Sequence, residues 1–177
     1  MTDETSILKI LLSEYDKLKS EQLARIGFRD NLLYVTLGLL GAIISFSVGK
    51  GNPYAFLVIP WACLILGLTY LVNDEKISAI GKYVRHTLTD RINKQISCTD
   101  KELVYGWETV HRSDNSRKRR KIEQLIIDEI TFIGSGIVAI IAFGQSVSQP
   151  PMALSIVSLI QLVFLLILGY EIYFMLT

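Results

Sequence analysis

Four long apolar runs constrain this chain more than any other feature of it. Residues 31–48, 54–72 and 130–147 carry no charged side chain, and 152–175 carries only Glu171. Each run has at least 18 residues, and a helix needs about 20 apolar residues to cross the hydrocarbon core of a bilayer. Within hydrocarbon every backbone N–H and C=O must find its partner inside the chain, so such runs are read as α-helices. The expectation is an all-α, polytopic membrane protein with four transmembrane helices. Half of the 177 residues are hydrophobic and 20% are charged, which requires the two kinds to be segregated along the sequence.

The runs pair off. Residues 49–53 and 148–151 are rich in glycine and proline and are long enough only for tight turns, so each joins two spans into a hairpin. The expected organisation is an amphipathic helix over 1–30, a first transmembrane hairpin over 31–72, a basic helical region over 73–128 and a second hairpin over 129–177. In the first segment Leu8, Leu11, Leu12, Tyr15, Leu18, Gln22 and Ile26 recur at helical spacing. That stripe asks for a partner helix, in the same chain or in a second copy. Residues 73–96 keep one apolar face (Ile77, Ile80, Val84, Leu88, Ile92) and are expected to extend the second span beyond the membrane. Thr99–Glu102 has the pattern of a capping box opening a short helix, and the chain is expected to be helical again from Arg117. Pro60 lacks a backbone donor, which predicts a kink within the second span. Gly38 and Ala42, and Gly134, Ser135, Gly136 and Ala139, give two spans narrow sides for close packing. Asp128 and Glu129, just before the third run, are expected at the membrane interface.

Of 18 lysines and arginines, only Lys50 falls outside 1–30 and 73–128. The positive-inside rule therefore puts those two segments in the cytoplasm, the two turns outside, and both termini in the cytoplasm. The start is acidic and the first apolar run comes late, unlike a secretory leader. The expected location is the inner (plasma) membrane, multi-pass. Cys63 and Cys98 fall in different environments and are expected as free thiols. Net charge is only +1, so any attraction for anions must come from local clustering.

Such a cluster exists. Arg117, Lys118, Arg119, Arg120 and Lys121 are consecutive and lead into the third span. One reading is topological, with cations fixing the cytosolic side and meeting anionic headgroups. A second is an anion or nucleic-acid site. There Arg112, His111 and the basic run, with Lys82 and Arg85 nearby, neutralise phosphates while Trp107, Tyr105 or Tyr83 stack on a base. A third is docking of an acidic partner. In the fourth span Ser155, Ser158 and Gln161 follow at three-residue steps, and Glu171 lies near its end. They are read either as interhelical hydrogen-bonding groups or as a pore lining. Glu108 with His111, His86 with Asp90, and Cys98 are the only metal-type groupings, and none has the spacing of a known ligand set. No phosphate loop or activated nucleophile is present. No enzyme activity, metal or cofactor is expected.

Trp107-Glu108-x-x-His111-Arg112-Ser113-Asp114, with the basic run and Gln124, resembles a pattern in uncharacterised bacterial four-span membrane proteins. Asn73–Ile77 and Arg25–Asp30 share that resemblance. In architecture alone the chain is similar to transmembrane effectors of bacterial anti-phage systems, such as the Hailong effector, an oligonucleotide-controlled channel. No residue role is carried over from it. The expectation is an oligomeric ion channel or membrane-perturbing effector, a homo-oligomer and by preference a tetramer, controlled by a nucleotide or short nucleic acid. The alternative is a non-conducting membrane scaffold that recruits a soluble, operon-encoded partner through its cytosolic helices.

Overall fold

The computed structural model describes residues 2–96 and 117–176. Helix α1 runs unbroken over Thr2–Lys50, so the amphipathic segment and the first span are one helix. Gly51, with φ +62°, makes the turn that a side chain would strain. Asn52 then caps a 3₁₀ turn, Pro53–Leu57, by accepting from the Tyr54 N–H at 3.2 Å. Helix α2 (Val58–Tyr83) passes through a π-helical turn, Val84–Leu88, into α3 (Thr89–Gln95). Helix α4 (Arg117–Asp128) passes through a second π turn, Glu129–Gly134, into α5 (Ser135–Ser146). Helix α6 covers Met152–Leu176. Among the described residues there is no strand, and four helices are long and apolar enough to cross a membrane.

Pro60 lies not in mid-helix but at the third residue of α2, in the first turn after the 3₁₀ segment, where helix N–H groups lack intrahelical partners and proline is tolerated. Both π turns have one local cause. The backbone N–H of Thr89 reaches Val84 O five residues back, and the Thr89 hydroxyl donates to the same oxygen at 2.8 Å. Ser135 repeats this with Ile130 O, its hydroxyl at 3.2 Å. A hydroxyl at the closing position gives the widened turn a second bond that an ordinary turn does not need.

The chain divides into two compact units. The first comprises Met1–Phe28 with Asn73–Arg119. Its core is Val84, Leu88 and Ile92, packed against Leu8, Leu11, Tyr15 and Leu18 of α1. The apolar stripe of the N-terminal segment thus meets its partner within the chain, although Leu12 stays 41% exposed. Polar bonds align the pair. Tyr83 donates to Glu14 at 2.7 Å, Gln22 to Ile77 O at 3.2 Å, and Asn73 to Arg25 O at 2.6 Å.

The second unit comprises Arg29–Val72 with Arg120–Thr177. Leu32, Leu40, Ile59, Cys63, Leu64, Tyr70, Phe132, Leu165, Leu168 and Ile172 form its buried centre. Missing side chains set the helix spacing. A Cβ at Gly136 would lie 2.6 Å from Leu165 Cδ1, and one at Gly67 would lie 2.7 Å from Leu168 Cδ2. The narrow side of α5 is therefore used, with Ala139 also buried. Gly38 is not used in this way: a Cβ there would meet nothing within 4 Å.

Candidate functional site

Asp128 has a setting that the sequence does not announce. It is fully buried within the chain, at 0% exposure. A carboxylate out of water is costly unless hydrogen-bonded, and its surroundings supply that bond. Gln124, one turn earlier on α4, donates through Nε2 to Asp128 Oδ1 at 2.9 Å. The same amide nitrogen donates to the Tyr70 hydroxyl of α2 at 2.6 Å. Tyr70 is itself buried and packs on Phe132, with ring centroids 5.4 Å apart. The Arg29 guanidinium of α1 lies over the Tyr70 ring, 6.0 Å from its centroid, within cation–π range.

Three helices are therefore fastened through one polar chain, Arg29–Tyr70–Gln124–Asp128. Gln124, Asp128 and Phe132 are spaced by four, so the fasteners and the ring beneath them share one side of α4 and the π turn that follows. Glu129 adds a second carboxylate. A Cβ at Gly169 of α6 would lie 3.1 Å from Glu129 Oε2 and 3.3 Å from Ile133 Cγ1, so the glycine makes room for the carboxylate. Carboxylates beside long apolar helices are costly to bury, which makes this pair a candidate functional position. The π turn that carries Glu129 is a feature common at functional sites. Chemically, the arrangement can act as a latch: rotating or sliding α4 against α2 breaks the Gln124–Tyr70 bond, while the Gln124–Asp128 bond lies within α4 and orients the amide for it.

The basic run starts α4. Lys118, Arg119 and Arg120 are exposed and Lys121 is half-buried; only the backbone of Arg117 is described. Trp107, His111 and Arg112, with Cys98, Tyr105 and Glu108, lie outside the described residues. Tyr83 is engaged with Glu14, and the Arg85 guanidinium donates to His86 Nε2 at 2.9 Å. Lys82 is exposed. Among the described residues no three His, Cys, Asp or Glu side chains gather as a metal site.

The four polar positions of α6 separate. Gln161 is completely buried and donates to Leu57 O at 2.9 Å, which ties α6 to the 3₁₀ turn. Its Oε1 has no hydrogen-bond partner among the described residues. The Ser158 hydroxyl donates to Leu154 O at 2.9 Å. Ser155 and Glu171 are exposed, so within one copy these four do not line a common passage.

Comparison with known protein families, with curated proteins and with solved structures finds no match.

Proposed function

We propose that this chain is the subunit of an oligomeric membrane ion channel or membrane-perturbing effector, controlled by an anionic ligand at its basic helical region. The ligand class is a nucleotide or short nucleic acid, and the biological setting this reading fits is anti-phage defence. What carries the reading is continuity: the cations of α4 lead into the apolar helix α5 through a single π turn, with no intervening loop. Neutralising charge at Lys118–Lys121 acts on the same helix that Gln124 ties to Tyr70 of α2, on whose ring Arg29 of α1 rests. A bound polyanion and the latch then bias one element, which is the requirement for ligand control. Ser155 and Glu171, exposed on a single copy, line the conduction path between copies, and Ser158 and Gln161 stand behind them.

In this account 1–30 and 73–128 are cytosolic, both termini are cytosolic, and the two tight turns face outward across the inner membrane. A reporter enzyme active only outside the cytoplasm, inserted after Lys50, is expected to be active; inactivity there, with activity after Asn115, reverses the topology. Reconstituted into liposomes, the protein is expected to release entrapped ions in a manner that depends on added oligonucleotide. Absence of release under every ligand, together with stoichiometric capture of one soluble protein, favours the scaffold instead.

A further inference from the structure

Helices α1, α2 and α5 leave between them an apolar groove of about 480 Å³, lined by Ile44, Phe56, Ile59, Gly134, Val138 and Ala142 among others. All of these belong to the second unit. The groove opens sideways, since Ile130 and Val138 at its rim are each 64% exposed. It makes no polar demand on an occupant. The one hydroxyl in its lining, Ser135 Oγ, already donates to Ile130 O at the π turn. From Ile130 to Ala142 the groove extends about 18 Å at the helical rise, close to the ~15 Å of hydrocarbon in one leaflet.

We infer that this groove is a binding site for one acyl chain of a bilayer phospholipid. Length, apolar lining and lateral opening all fit a chain entering from the surrounding leaflet. A helix from a second copy is the competing occupant; it would seat only side chains in the groove, and oligomeric mass separates it from lipid. The chain lies against Gly134, where a side chain would otherwise project, and so packs directly on the π turn between α4 and α5. Phospholipid thereby becomes a structural part of the element that joins the basic region to its span. The inference stands whether or not the protein conducts.

The test is native mass spectrometry of the purified protein after extended detergent exchange. Wild type is expected to retain a single phospholipid per chain. Ala142→Phe fills the groove and is expected to lower retention about tenfold, whereas Ala153→Phe, at the exposed start of α6, leaves it unchanged. Ala142→Leu, a smaller intrusion, reports the same loss in milder form if the phenylalanine variant does not fold. Wild type that strips clean, or equal retention in the 142 and 153 variants, overturns the site. So does a change of oligomeric mass in Ala142→Phe with no lipid on wild type, which assigns the groove to a second copy.

Discussion

Asp128→Ala is expected to destabilise the four-helix unit by about 2–4 kcal/mol, read as a lower midpoint of thermal or denaturant unfolding in detergent. Two losses combine. The carboxylate that accepts from Gln124 at 2.9 Å disappears, and a fully buried volume is left empty. Asp128→Asn keeps the volume and an acceptor oxygen, so it is expected to lose less than half as much. Tyr70→Phe and Gln124→Leu probe the other bond. Because they share it, their double variant is expected to fall short of additivity by about 0.5 kcal/mol or more. The Gln124–Asp128 bond lies within one helix and orients the amide toward Tyr70, so a loss under about 1 kcal/mol for Asp128→Ala would mean that the carboxylate is solvated and gives the latch no support.

Replacing Arg117, Lys118, Arg119, Arg120 and Lys121 together by alanine is expected to weaken binding of single-stranded oligonucleotide at low salt and to flatten its salt dependence. The reason is counterion release. Each phosphate neutralised contributes about −0.7 to the slope of log affinity against log salt for single strands. If the full run engages phosphates, wild type shows a slope about 3.5 units steeper than the variant. Fluorescence anisotropy of a labelled oligonucleotide across a salt series reads both quantities. A variant with the affinity and slope of wild type reduces the run to its topological role. Helicity is the control, since alanine favours helix and the far-ultraviolet dichroism is expected to hold.

The spans were legible because run length and absence of charge are properties of the sequence itself. Residues 31–48 fall inside α1, 54–72 cover the 3₁₀ turn and the first part of α2, and the apolar stripe of Leu8, Leu11, Tyr15 and Leu18 meets Val84, Leu88 and Ile92. The place of Pro60 was not legible because it depends on where the α-helix begins, and the 3₁₀ turn before it puts Pro60 in the first turn of α2. The burial of Asp128 was not legible, because an Asp-Glu pair ahead of an apolar run indicates depth along the span but not which side faces protein. Gln124, which bonds it, finds its other partner in Tyr70, 54 residues away. The signal that points to it is the four-residue spacing of Gln124, Asp128 and Phe132, a polar pair in line with a ring. The π turns escape periodicity, yet a hydroxyl residue closes each of them.

Planar-bilayer recording from the purified protein tests the central claim most directly. The account predicts discrete conductance steps whose open probability changes when oligonucleotide is added to the compartment facing the basic region. Addition to the opposite compartment is predicted to have no effect. A bilayer that stays silent with ligand on either side, at protein densities where chemical crosslinking shows assembled oligomers, would contradict it.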